Sequence, residues 1–278
     1  INKYLIFFLR KQNNSGLLKA MKYGLLPGGK KIRSKILVDV GKIFNLRYSK
    51  LIKIGAALEC IHAYSLIHDD LPCMDDDELR RGKLTTHKKF GESTAILAGN
   101  SLLTLGFEIL SSNQLKLSNK NKNILINLIS KCTGHLGVAG GQFLDLNYEK
   151  KKISKSKIID MQRKKTGMLF KFCCLAPVVL SGKTKYYKKF GELGLDIGLL
   201  FQIADDIIDY KGNSKNAGKK TQKDKKKGKA TLISLLGYQN TIKYSVVTKN
   251  KIFNKLSEFG KKANNLKETL NYVLLRTR

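Results

Sequence analysis

The sequence predicts an all-α protein, a single large helical bundle around a central cavity. Three observations predict it. Long apolar runs follow one another with only three prolines in 278 residues. No alternation of apolar and polar residues marks out strands and tight turns. Two of the apolar runs end in aspartate clusters, which a bundle can tolerate only by turning them into an interior cavity or into solvent. No proline- or serine-rich linker divides the chain, so one domain over 1–278 is expected.

The elements follow in order. The opening "YLIFFL" is apolar but far too short to span a bilayer, as are the other unbroken apolar stretches, so no membrane span is expected. It also lacks the small-residue cleavage site of a secretory signal. The first residue is Ile1 rather than Met, which leaves an incomplete N-terminus as the expectation. "LPGGKKIRS" sets Lys30, Lys31 and Arg33 just after two glycines, whose backbone can approach a phosphate closely. "LIKIGAALECIHAYSLIHDD", "TAILAGNSLLTLGFEIL", "NILINLISKCTGHLGVAGG", "GMLFKFCCLAPVVLSG" and "FGELGLDIGLLFQIADDIIDY" each read as a buried helix, apolar on most faces. The one long polar loop is "KGNSKNAGKKTQKDKKKGKAT", residues 211–231.

A net charge of +32 invites a nucleic-acid reading. The lysines, however, are spread along the whole chain among many Asn and Ile residues, a pattern of compositional drift rather than of a binding stripe. Nucleic acid is not expected as a functional partner. The five cysteines form no CxxC pair, and Cys60 and Cys132 sit in apolar stretches. They read as small core residues of a reduced, cytoplasmic protein.

Chemistry concentrates in the two acidic clusters. In "QIADDIIDY", Asp205 and Asp209 are four apart and share a helix face, with Gln202 three before Asp205. Just ahead of the other cluster, "SLIHDDLPCMDDDELRRG", His62 aligns with Asp69 at a spacing of seven. Asp69 and Asp75 diverge on an ideal helix, but Pro72 should distort that end and swing Asp75 back. Facing carboxylates are hard oxygen ligands suited to Mg²⁺, which prefers a few carboxylates completed by substrate phosphates. The alternating ligands of an EF-hand are missing, and no His/Cys set suggests zinc. Arg80, Arg81, Lys165 and Thr166 (in "RKKTGMLF") supply groups that grip phosphate oxygens.

These residues resemble the short-chain trans-polyprenyl diphosphate synthases of the bacterial type. The resemblance runs from about Tyr23 to the C-terminus through "GGKKIR", "ECIHAYSLIHDDLPCMDDDELRRG", "GGQFLDL", "KTGMLF" and "FQIADDIIDY", the second with the two extra residues that mark the bacterial type. It implies a homodimeric all-helical transferase of isoprene biosynthesis. Such enzymes join isopentenyl diphosphate head to tail (1'-4) to dimethylallyl or geranyl diphosphate, here giving (2E,6E)-farnesyl diphosphate and pyrophosphate. Carried over, Asp69, Asp75 and Asp205 hold several Mg²⁺ ions, with Asp70 and Asp209 supporting. Arg80, Lys165 and Lys219 hold the allylic diphosphate, and Lys229 is a further candidate from the same loop. Lys30, Arg33, His62 and Arg81 hold isopentenyl diphosphate, and Thr166 and Gln202 line the reacting carbons. Tyr64, five before Asp69 and about 7–8 Å along the helix, is the expected floor that stops growth at fifteen carbons.

The chain departs from the family pattern in places. Lys31, Ile32 and Ser34 replace the usual Arg, Leu and Pro, Ala204 stands where Gln is common, and Gln222 replaces a glycine before Asp224. A geranyl or geranylgeranyl diphosphate synthase, or a non-catalytic prenyltransferase-like binding subunit, are the alternatives. A terpene cyclase would carry an Asn/Ser/Glu triad in place of "DDIID", and a head-to-head enzyme would lack "GGKKIR".

Overall fold

Burial of long apolar faces decides the architecture. The protein is described here by a computed structural model covering residues 1–26, 28–211 and 228–275. In chain order the helices are α1 (Asn2–Arg10), α2 (Gly16–Leu25), α3 (Ile32–Ile43), α4 (Tyr48–Asp69), α5 (Thr86–Phe90), α6 (Glu92–Ser111) and α7 (Asn119–Thr133). They continue with α8 (Val138–Asn147), α9 (Lys155–Gln162), α10 (Met168–Ser181), α11 (Tyr187–Lys211), α12 (Leu232–Leu236), α13 (Tyr238–Leu256) and α14 (Asn264–Leu275). The expected all-α bundle is thus what the chain forms. Its centre is α4, packed on α6 and α3, and α10, packed on α11, α3 and α7. One continuous core runs through these helices, with Leu58, Ile61, Phe170 and Phe172 fully enclosed. A smaller apolar cluster, Ile158, Leu199, Ile203 and Ile207 with Leu232 and Ile233, fastens α12 over the end of α11. All five cysteines are free thiols, four of them buried.

Three details differ from the sequence reading. "NILINLISKCTGHLGVAGG" is two helices: Gly134 turns to an extended ψ of −151° and closes α7 by donating to the Ser130 carbonyl at 2.9 Å. Residues Leu79–Arg80 and Lys83–Leu84 form a minimal antiparallel hairpin that no period-2 pattern announced. Its two turn residues, Arg81 (φ +55°) and Gly82 (φ +75°), are both left-handed, as a tight two-residue hairpin requires. Finally, α6 at 20 residues is long and apolar enough to cross a bilayer by length and composition. Here it lies along α4 and buries Ala95, Ala98, Leu102, Leu105 and Ile109.

The segment from Lys155 to Ser181 is helical throughout but not α-helical throughout. Between α9 and α10, Arg163–Gly167 forms a single π-helical turn, a wider coil that commonly marks functional sites. Two neighbouring helices press on that turn at glycines. A Cβ at Gly141 of α8 would lie 2.1 Å from the Lys165 backbone nitrogen, and one at Gly198 of α11 would lie 2.3 Å from the Gly167 Cα. Both contacts are with backbone, which cannot swing aside as a flexible side chain can.

Gly141→Ala should therefore destabilise the protein by roughly 1–3 kcal/mol through overpacking. Gly16→Ala, where nothing lies within 4 Å, should be neutral or stabilising by up to about 1 kcal/mol. Urea melts of the two variants check both signs.

Candidate active site

The helix ends and turns just described enclose a cavity of about 410 Å³, lined by α3, α4, α8, the π turn and α11. Its acidic wall begins where α4 stops. Pro72 cannot continue the helix, and the chain folds back so that the Asp75 backbone N–H donates to the Asp69 carbonyl at 2.8 Å and Asp77 N–H to the Asp70 carbonyl at 3.1 Å. That return brings Asp75 to Asp69, as the sequence reading expected. Asp205, on α11, lines the same cavity. Asp70 faces away from the cavity and is clamped by Arg80, whose Nε lies 3.0 Å and 3.3 Å from its two oxygens, with a further short bond from Nη2. Arg80 also reaches Asp77 at 3.5 Å.

A second wall is cationic. Arg33 of α3 lies with its Cζ 4.9 Å from the Phe170 ring and 5.6 Å from the Phe201 ring, and its Nη1 donates to His62 Nε2 at 3.0 Å. Burial, and then the charges of Arg33 and Arg81, hold the His62 imidazole well below its usual pKa. A neutral ring accepting at Nε2 carries its proton on Nδ1. That Nδ1, like Arg33 Nε, is buried without a partner among the described residues. Arg81 leaves the hairpin turn toward this wall, its guanidinium lying against Gly29. Lys30 sits at the rim with its ammonium 4.7 Å from the Tyr272 ring. Lys31 turns aside, donating to the Leu25 carbonyl at 2.9 Å and pairing with Glu59 at 3.5 Å.

The third wall is the π turn. Thr166 Oγ1 donates to Gln202 Oε1 at 2.7 Å, and Gln202 Nε2 donates to Asp206 at 2.8 Å. Lys165 Nζ is 2.5 Å from Asp145 of α8. Lys229 bridges Asp145 at 3.2 Å and Asp75 at 3.0 Å. Burial would push the Asp145 carboxyl up, but Lys165 and Lys229 outweigh it and hold it below the usual carboxylate range. Asp145, Asp206 and Glu59 were not singled out by sequence reasoning. Their only sequence signal was position, Asp145 lying inside "GGQFLDL", Asp206 four after Gln202 and Glu59 three before His62.

Of the predicted residues, Arg33, His62, Asp69, Asp75, Arg80, Arg81, Lys165, Thr166, Gln202, Asp205, Asp209 and Lys229 share this one cavity, with Lys30 at its edge. Lys219, Gln222 and Asp224 lie outside the described residues. Tyr64 does not line the cavity; it packs edge-on against His68, ring centroids 4.9 Å apart, and Ser65 takes the cavity side. Ala204 is buried in the core, so the absent glutamine removes no cavity contact in this chain. Ser34, at the position where the sequence resemblance implies proline, uses its hydroxyl to bond Glu59 and lies 3.2 Å from the Gly55 carbonyl, which ties α3 to α4.

The donor set fits Mg²⁺ that arrives with phosphate. Asp69, Asp75 and Asp205 present hard carboxylate oxygens to one cavity, the ligand type of a cation that keeps water and phosphate oxygens for the rest of its shell. Burial, with repulsion from Asp75 and Asp70, pushes the Asp69 carboxyl up to about 7 against the opposing pull of Lys165 and Arg80. The folded state then binds more protons than the unfolded chain between pH ~4 and ~7, so this group's contribution to stability falls as pH rises through that window. Without added metal, Asp69→Asn should stabilise the protein at pH 8 by on the order of 1–2 kcal/mol and give no gain at pH 4. Thermal melts at the two pH values check it.

Comparison with known proteins identifies the family. The polyprenyl synthetase family model matches residues 14–273. The chain is 40% identical over 236 residues to farnesyl diphosphate synthase of Escherichia coli (strain K12), covering 83% of this chain and 78% of that protein. Among solved structures, an FPP/GFPP synthase from Zymomonas mobilis superposes with a TM-score of 0.88 at 35% identity, covering 98% and 94% of the two chains. A geranyltransferase from Helicobacter pylori, complexed with magnesium and isoprenyl diphosphate, superposes with a TM-score of 0.85 at 32% identity, covering 98% and 93%. The chain belongs to the polyprenyl synthetase family.

Proposed function

We propose that the protein is a prenyltransferase, a farnesyl diphosphate synthase that condenses isopentenyl diphosphate head to tail with dimethylallyl or geranyl diphosphate. The observation that carries this is one cavity with carboxylates on facing helices and two separate groups of phosphate-gripping cations. Asp69, Asp75 and Asp205 would hold Mg²⁺, and the bound metal supplies compensation for charge on the diphosphate oxygens. Arg80, held by Asp70, and Lys165 and Lys229, held by Asp145, grip the allylic diphosphate as its C–O bond breaks. Cations already fixed in place stabilise that developing charge without reorganising. Lys219, which lies outside the described residues, is assigned to the same group.

Arg33, His62, Arg81 and Lys30 hold isopentenyl diphosphate, whose diphosphate stays intact. The Thr166–Gln202 pair faces the allylic cation with neutral dipoles, which steady positive charge without adding to it. Apolar lining from Ile32, Leu169 and Phe201 keeps water from that cation. After the new C–C bond forms, a proton leaves to the departing pyrophosphate, so no separate Ser-His-Asp or Cys-His set is required. Pairing as a homodimer would cover the exposed apolar side chains Ile96 and Leu97 of α6. Free thiols throughout suit a reduced, cytoplasmic setting.

The decisive assay gives purified protein isopentenyl diphosphate with dimethylallyl or geranyl diphosphate, with Mg²⁺ or with a chelator. Mg²⁺-dependent farnesyl diphosphate is expected, and Lys165→Met should lower kcat by roughly 10²–10³. Folded protein that condenses nothing would turn the assignment to a binding subunit.

Product length is tested separately. Tyr64→Ala should shift the product toward geranylgeranyl diphosphate if the growing tail passes between Tyr64 and α6 (His68 Nε2 sits 3.0 Å from the Ile96 carbonyl there). An unchanged product spectrum by mass would remove Tyr64 as the floor.

A further inference from the structure

Asp145 belongs to neither aspartate cluster, yet Lys165 of the π turn and Lys229 both converge on it. Lys165 Nζ and Lys229 Nζ lie 2.5 Å and 3.2 Å from the same oxygen, Oδ2. Lys229 continues to Asp75 Oδ1 at 3.0 Å, so the four side chains alternate in sign: Asp75, Lys229, Asp145, Lys165. Two ammonium groups this close repel each other, and each long side chain loses rotamer freedom when fixed. A buried carboxylate between them offsets both costs. Its placement comes from the backbone: Gly141, one helical turn before Asp145, is the point where α8 touches the Lys165 backbone. An ammonium carries three donors, so Lys165 spends one on Asp145 and keeps two for other acceptors.

We propose that Asp145 is a positioning residue for the allylic half of the reaction, anchoring Lys165 and Lys229 side by side so that both ammonium groups meet one diphosphate, without itself touching substrate. The inference rests on the reading above that these lysines take the allylic diphosphate. It also separates Asp145 from the metal-holding aspartates, since its charge is already committed to two cations.

The test is calorimetric binding of dimethylallyl S-thiolodiphosphate, a non-ionising analogue, with Mg²⁺. The proteins are wild type and the variants Asp145→Glu, Asp145→Gln and Asp145→Asn. Glu and Gln have the same length and shape and differ in charge. Asn and Gln should weaken the analogue about tenfold or more, the scale of a lost hydrogen bond to a charged group. Glu should stay several-fold tighter than Gln, and isopentenyl diphosphate affinity should stay within about twofold of wild type in all three. In a Lys165→Gln background the Asp145→Asn loss should shrink to about threefold or less, because the partner it acts through is gone. A purely structural role would give an additive loss and an equal loss of isopentenyl diphosphate binding, and either result overturns the proposal. Gln binding as tightly as Glu overturns it too, and that comparison holds even if the Asn variant fails to fold. Wild type that does not bind the analogue at all overturns the functional reading along with it, whereas wild-type binding with Glu and Gln alike overturns the role of Asp145 alone.

Discussion

The approach of three backbones at residues 165–167 is the constraint on which the rest of the cavity depends. α8 reaches the π turn through Gly141 and α11 reaches it through Gly198, both at distances that admit no Cβ. Because side chains four apart share a helix face, each contact projects a functional group one turn further along. Asp145 follows Gly141, and Gln202 follows Gly198. The wider coil of the turn itself aims Lys165 and Thr166 into the cavity at successive positions. The pairs Lys165–Asp145 and Thr166–Gln202 are therefore consequences of backbone packing more than of the strength of either bond.

Electrostatics then sorts the cavity into walls. Opposite charges brought into a partly dry space gain from pairing and cost heavily when left alone. Arg80 with Asp70, and Lys165 and Lys229 with Asp145, satisfy that demand near the acidic wall. The hairpin decides which arginine serves which side. Arg80 is the last residue of a strand and points to Asp70, while Arg81 occupies a left-handed turn position and points to Gly29. Two adjacent identical residues are thus delivered to opposite walls by a change of backbone hand.

Much of this was legible in the sequence, and the limit has a physical boundary. Long apolar runs gave α4, α6, α10 and α11, since burial alone fixes a helix that is apolar on most faces. The return of Asp75 to Asp69 followed from Pro72, a local rule. What stayed hidden depends on contacts between segments far apart in the chain. The π turn at Arg163–Gly167 has no local signature, because "RKKTG" reads as ordinary helix until α8 and α11 press on it. Asp145 reads as a generic polar position, because its partner Lys165 is 20 residues away, and the second partner of Asp206, Gln162, comes from another helix. The break at Gly134 was obscured by apolar residues on both sides, which suit one helix as well as two. The substitutions that looked costly are absorbed by context: Ala204 faces the core, and Ser34 gains a bond to Glu59.

The two cationic walls are built differently, and the difference matches what each diphosphate must do in the proposed reaction. A group that stabilises charge appearing only in the transition state is worth most when it is already fixed. Arg80, Lys165 and Lys229 are fixed, each by a buried or half-buried carboxylate. The opposite wall has no such demand, since isopentenyl diphosphate keeps its charge constant and needs only to be bound. There Arg33 rests on two aromatic rings and a neutral histidine, with donors at Arg33 Nε and His62 Nδ1 that no described residue uses. Buried donors of that kind cost stability in the empty protein and return it when an acceptor arrives. That trade suits ground-state capture of an intact diphosphate, and it would be wasted beside a bond that breaks.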